Sequence, residues 1–452
     1  MLLAKLAELL FGASLARRKP LGRLRSIAAN GPLRGRHHFS AGELSCTMPH
    51  GRLANDSASL RDLFLLRRDV VFLNHGSFGA RPAAVFAEYQ RWQRELEQQP
   101  VEFLGRRFSD VMRDARVAIA AYLGARADDL VFVPNATSGL NVVARSLALT
   151  PGDEVLTTDH EYGALDSTWR FICASRGAKY INRPIRLPVQ SQDDVVETIW
   201  AGVTPRTRVL FLSHITSPTA LTFPVAELIR RARAAGILTV IDGAHVPGQR
   251  ALALDELGAD FYSGNLHKWL CAPAGSAFLH VRREVQHLVK PLVVSWGWNR
   301  TEQAGATVEP ELRAGRFVDE QEWQGTRDPA AYLAAPAAIQ FQAEHDWIKV
   351  QARCHDLLLE ARRQVAELTG LPQICPPSRE WFAQMAALPL PACDPLALKQ
   401  RLYDEYRVEV PIVDWSGRQF VRVSIQGYNT REDVDTLTTA LSELLPQVAK
   451  TS

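Results

Sequence analysis

Lys268 stands in the octapeptide "SGNLHKWL" (residues 263–270), between a histidine and a tryptophan. A lysine head normally seeks water, so one set in an apolar stretch is either a surface charge beside a strand or an amine that does chemistry. Other residues capable of chemistry recur after short apolar runs. "NATSGLNVVARSL" puts Asn135, Ala136, Thr137 and Ser138 at a helix start. Free backbone N–H groups and small hydroxyls there can hold an anion, phosphate above all, although plain N-capping accounts for the same residue types. "DHEYGAL" gathers Asp159, His160, Glu161 and Tyr162, "HITSPTA" opens on His214, and "DGAHVPG" carries Asp242 with His245 three residues on. A carboxylate at Asp242 could cap a helix, pair with a cation, or hold a cationic ring nitrogen.

These groups need a scaffold that brings them together. Apolar runs at 70–74, 129–134, 154–158, 208–213, 237–242 and 276–281 alternate with helix-length segments at 82–97, 107–123, 136–148 and 224–235. The runs are continuous rather than alternating, as in strands covered on both faces, which predicts a mainly parallel α/β sheet. Ligands of such sheets bind outside the carboxyl ends of the strands, and here those ends are polar in the same sense. Past residue 325 the rhythm changes. Helices at 329–346, 350–368, 395–406 and 431–446 and strands at 383–391, 407–413 and 419–425 predict a smaller α+β domain. The expected division is a tail over 1–54, a large cofactor-binding domain over 55–325 and a small domain over 326–452.

Composition narrows the function classes. With 452 residues, 46% apolar and 22% charged, the chain reads as a globular protein of two domains. Residues 1–40 hold eight Lys/Arg and one acidic residue, so the remaining 44 basic and 48 acidic side chains leave the body at −4. That balance gives no case for nucleic acid. No apolar run reaches the roughly 18 residues that cross a bilayer. The six cysteines lack metal-like spacing, which points to reduced thiols in a cytoplasmic compartment and no metal. The basic, Leu/Ala-rich first segment fits a mitochondrial transit peptide, a disordered tail, or translated sequence ahead of a start at Met48.

A phosphate-binding helix start, an acid, an aromatic and a lysine are together what pyridoxal phosphate requires. The lysine forms a Schiff base, the carboxylate keeps the pyridine nitrogen protonated, and the aromatic stacks on the ring. The stretches "FLNHGSFG", "NATSGLN", "DHEYGA", "SHITSPTA", "DGAHVPG", "SGNLHKW", "WQGTRDP" and "VRVSIQGYNT" resemble, in family order over about residues 70–440, the class V aminotransferase family of pyridoxal-phosphate enzymes, within it the isopenicillin N epimerase-like branch. The resemblance implies fold type I, a mainly parallel seven-stranded sheet flanked by helices with a smaller C-terminal α+β domain, and a homodimer acting on an amino-acid-like substrate. It makes Lys268 the catalytic and cofactor-bearing lysine and Asp242 the partner of the ring nitrogen. His245 would lie near the phenolic oxygen. Ala136 and Thr137 would hold the phosphate, with His267 and Asn265 beside them. Tyr162 would stack on the ring, and Thr326 would reach the neighbouring subunit's phosphate. Arg422 would grip the substrate carboxylate, and Asn74 and His75 would line the substrate side.

Two departures from the family pattern stand out. "VPIVDWSGRQ" lacks the nucleophilic cysteine of cysteine desulfurases, and Ala220 stands where relatives often have glycine, which could narrow the pocket or equally be a core alanine. Epimerisation, β-elimination at a C–S bond and transamination all begin with loss of the Cα proton, so these residues leave the three open, with epimerase-like or β-lyase chemistry preferred. A catalytically silent scaffold of the same fold would have lost Lys268 or Asp242. A nicotinamide oxidoreductase would carry a glycine fingerprint after a strand, and none is present.

Overall fold

The computed structural model describes residues 57–298 and 316–449, so the readings of the N-terminal segment lie outside the described residues. Twelve strands follow in chain order. The first eight are β1 (Val71–Phe72), β2 (Leu130–Val133), β3 (Glu154–Thr158), β4 (Lys179–Arg183), β5 (Thr207–Ser213), β6 (Leu238–Asp242), β7 (Phe261–Asn265) and β8 (Ala277–Val281). The last four are β9 (Met385–Leu390), β10 (Val408–Glu409), β11 (Ile412–Trp415) and β12 (Arg418–Ser424).

Seven of them form the main sheet in the order β2-β8-β7-β6-β5-β3-β4. The pairings from β7 through β4 are parallel, and β8 runs antiparallel to both neighbours. The carboxyl ends of all strands but β8 therefore point one way. Every residue of β2, β3 and β8 is buried, including the polar Glu154, Thr157, Thr158 and His280, as in strands covered on both faces. The helix Ala136–Ser146 packs its Leu140 and Val143 face, with Leu147 just beyond, into the main core.

Sequence patterning missed two strands for different reasons. β4 is an edge strand with charged ends and incomplete burial. β7, "FYSGN", is rich in poor strand formers, yet it lies at the centre of the sheet and is buried throughout. A Cβ at Gly264 would meet the Phe278 ring at 2.8 Å, so close packing onto β8 selects glycine there.

A second, antiparallel sheet, β11-β12-β9, packs against the helices Trp347–Thr369 and Pro395–Tyr406. The expected strand 407–413 is split into β10 and β11, with Pro411, which has no N–H to give a ladder, between them. The expected helix 329–346 is likewise two, Ala330–Leu333 and Ala335–Glu344, with Pro336 in the first turn of the second. β1 pairs in parallel with β10, and Asn74 bridges to Ser424, so residues 71–74 join the C-terminal layer. We propose the domain boundary at 325/326 for the remainder of the chain.

Ala220 is fully buried at φ +57° and packs against Ile215, Val246, Trp269 and Met385. It does not line the cavity described below, so of the two readings the core alanine holds and the narrowed pocket does not. Among the described residues no helix is long and apolar enough to cross a membrane.

Candidate active site

The carboxyl ends of the main sheet open on a cavity of about 740 Å³. That lies within the roughly 300–1,000 Å³ usual for small-molecule sites. Asn135–Ser138 after β2, Tyr162 after β3, Ser213 at the end of β5, Asp242 at the end of β6, and Asn265, His267 and Lys268 from β7 onward all line it. From the other side come Gly76–Gly79, Arg81 and Arg422 on β12. Of the residues singled out in the sequence, Lys268, Asp242, His245, Ala136, Thr137, Tyr162, Asn265, His267 and Arg422 thus meet in one place.

Asp242 is buried, and its Oδ1 accepts from the Ala244 N–H at 2.9 Å while Oδ2 has no hydrogen bond among the described residues. Burial raises its carboxyl to about 6. Lys268 Nζ lies 3.2 Å from His245 Nε2. Burial, and then the Arg422 charge, push the Lys268 ammonium down to about 7, against the pull of Asp242. A buried acid with an open oxygen and a lysine close to neutrality fit a cationic ring nitrogen and a carbonyl carbon respectively.

The helix start is narrower as an anion site than the residue types imply. The Ala136 N–H donates to Asn265 Oδ1 at 2.8 Å, and the Ser138 N–H to the Asn135 cap at 2.8 Å. Ala136 is thereby corrected as a phosphate donor, because its one N–H is already used. Thr137 retains a free backbone N–H and hydroxyl among the described residues. His267 Nδ1–H donates to the Ser276 carbonyl at 3.1 Å. Burial pushes its ring down to about 4, and an anion at Nε2 would raise it again.

Arg422 is 7% exposed. Its Nη1 donates to the Ser217 carbonyl (2.6 Å) and hydroxyl (3.2 Å), and its Nη2 to the Ser77 hydroxyl at 3.2 Å. Its Nε–H is buried without a partner, and no carboxylate of the described residues pairs with it.

Three expected residues lie elsewhere. Asn74 does not line the cavity: its Nδ2 donates to Glu409 at 2.9 Å and its Oδ1 accepts from Ser77, so it braces the hydroxyl that Arg422 uses. His75 is fully buried, with Nε2–H on the Lys268 carbonyl at 2.9 Å and Nδ1 accepting from Tyr428 at 3.0 Å. It holds the lysine's backbone rather than facing a substrate. Thr326 is exposed and outside the cavity wall.

Sequence reasoning passed over Ser77, Ser217 and Arg81. Small hydroxyls in "HGSFG" and "ITSPTA" carry no pattern that marks them as an arginine's partners, whereas Arg81 was visible as a charge directly after a glycine-containing motif. Gly79 (φ +74°) lets this segment lie on the lysine loop, where a Cβ would clash with the His267 carbonyl.

A family model described as aminotransferase class-V matches residues 79–437. The chain belongs to this family. It is 36% identical over 393 residues to isopenicillin N epimerase of Amycolatopsis lactamdurans, covering 86% of this chain and 98% of that one. It is 30% identical over 416 residues to the putative L-cysteine desulfhydrase 1 of Oryza sativa subsp. japonica, with 83% of each chain covered. The crystal structure of the cysteine desulfurase CsdA from Escherichia coli superposes with a TM-score of 0.71 at 22% identity, over 87% of this chain and 99% of that one. The fold is therefore type I, and as a member of the class-V family the protein is a pyridoxal-phosphate-dependent enzyme. Unlike a persulfide-forming desulfurase, it has no cysteine in the turn between β11 and β12, and all five described cysteines, Cys393 included, are buried.

Proposed function

We propose that the enzyme works at the Cα of an amino acid, removing its proton and returning it as an epimerase does, in keeping with the isopenicillin N epimerases it is similar to. Arg422 carries this reading. A buried guanidinium with no acid partner and one unsatisfied N–H, facing the same cavity as Lys268, matches a substrate carboxylate.

Pyridoxal phosphate, when bound, supplies an electron sink for the charge released at Cα. The chain's residues divide the rest. Thr137, Asn265 and His267 would hold the phosphate, Asp242 Oδ2 the ring nitrogen, His245 the phenolic oxygen, and Tyr162 one ring face. Lys268 Nζ takes the Cα proton on its own face, for which a value near neutrality suits it, and inversion takes the return proton from a second donor on the opposite face. Thr326, exposed on the protomer, would complete the phosphate site of a second copy in a homodimer. The buried cysteines, none of them in a disulfide among the described residues, support a reducing, cytoplasmic setting.

Two measurements test the reading. Arg422→Ala should raise KM for the amino acid by roughly 30-fold or more, the 2–5 kcal/mol of a truncated buried charge contact. Its visible cofactor absorption should persist, and a colourless variant would contradict this division of labour. Incubating the native enzyme with a panel of amino acids in heavy water should place solvent deuterium at Cα with loss of optical purity. Pyruvate with ammonia would instead establish β-elimination, the second reading, which similarity to the desulfhydrases favours. A new keto acid would establish transamination.

A further inference from the structure

Trp269, next in the chain to Lys268, is fully buried, and its indole Nε1–H donates to His245 Nδ1 at 3.4 Å. The other ring nitrogen of His245 is the one 3.2 Å from Lys268 Nζ. An indole N–H is a donor only, so the imidazole nitrogen facing it must accept. A neutral imidazole carries one proton, which must then sit on Nε2. His245 is neutral in this setting, since burial first, then the charge of Lys268, hold its ring well below the usual range.

We propose that Trp269 is a positioning residue that fixes the His245 tautomer, so that the histidine presents an N–H to the cavity and keeps the Lys268 amine uncharged. With its proton on Nε2, the imidazole cannot accept from a lysine ammonium but can donate to a lysine amine, which favours the free base. Without the indole N–H, the proton moves to Nδ1, Nε2 becomes an acceptor, and a charge-assisted bond from the ammonium holds the proton on the lysine. The same N–H is the one that would meet the cofactor's phenolic oxygen, so the inference deepens the proposed function and rests on Lys268 being the cofactor lysine. The other ionisable groups around the amine are Asp242 and Arg422, with His267 and His75 on either side of its backbone, and all are retained in the variants below.

The test is made on protein stripped of cofactor, by following acetylation of Lys268 with acetic anhydride against pH by mass spectrometry. The native midpoint should fall near 7, and Trp269→Phe should move it up by about one pH unit, the worth of one hydrogen bond. Because Trp269 is a core residue, the same titration is run with 3-benzothienylalanine introduced at 269, which keeps the shape of indole but has no N–H. An unshifted midpoint in that folded variant overturns the proposal. So does a ¹⁵N spectrum of native protein that places the His245 proton on Nδ1. Failure of the cofactor reading shows separately, as native protein without visible absorption after incubation with pyridoxal phosphate.

Discussion

Lys268→Ala should lose the visible absorption band of the lysine-bound cofactor after purification with pyridoxal phosphate and should lose at least about 10³-fold in kcat. The absorption band of the lysine-bound cofactor depends on its bond to this amine, and among the described residues no other lysine lines the cavity. The rate loss has two sources: removal of the covalent attachment, and removal of a general acid–base group, itself worth roughly 10²–10⁴-fold. Absorption spectra and steady-state kinetics measure both. A variant that kept its colour and its turnover would end the assignment. Excess primary amine added to the variant should restore part of the proton transfer, since the cavity vacated by the side chain sits beside the reacting carbon.

Asp242→Asn should separate catalysis from stability. The amide can still accept from the Ala244 N–H, but it cannot keep a ring nitrogen protonated, so kcat should fall by roughly 10²–10³, the loss seen when preorganised charge stabilisation is removed. The cofactor-free fold should respond in the opposite sense. Burial raises the folded carboxyl to about 6, above the roughly 3.9 of an unfolded aspartate. A raised folded value means that stability is lost as pH rises from about 4 through 6, where the protein must bury a charge it does not hold in acid. Asp242→Asn should therefore melt higher than native protein at pH 8, by on the order of 2 kcal/mol, with no advantage at pH 4. Saturation with cofactor should reverse the order at pH 8, since the ring nitrogen supplies the missing partner. A melting advantage that was independent of pH would show that the carboxylate is not charged at a cost.

What could be read in advance, and what could not, follows from the range of the interactions involved. The parallel sheet was legible because unbroken apolar runs have one physical meaning over 200 residues, and its polar carboxyl ends disclosed Asp242, Thr137, Tyr162 and Lys268. β7 was not legible, since Gly264 and Asn265 are chosen by what lies across from them, namely the Phe278 ring and the Ala136 N–H. The same long-range cause hid the roles of Asn74 and His75. Their motif was visible, but their partners Glu409, Tyr428 and the Lys268 carbonyl come from the other end of the chain or from another layer. The contact of Trp269 with His245 was not legible either, because a sequence does not say which way an indole N–H points.

The pairing of residues 71–77 with β10, β12 and Tyr428 also governs when the active site comes into being. His75 and Tyr428 are 353 residues apart, and Ser77 and Arg422 are 345 apart. Closing loops of that length is entropically costly and gives no return until both ends exist. On the ribosome, the segment that braces the lysine loop waits for almost the whole chain to emerge. The lysine, the acid and the phosphate-binding helix can be in place on the sheet well before that. With the roles proposed above, Arg422 is the last part assembled, so a nascent or C-terminally cut chain would have the groups proposed to hold cofactor before the arginine proposed to hold a substrate.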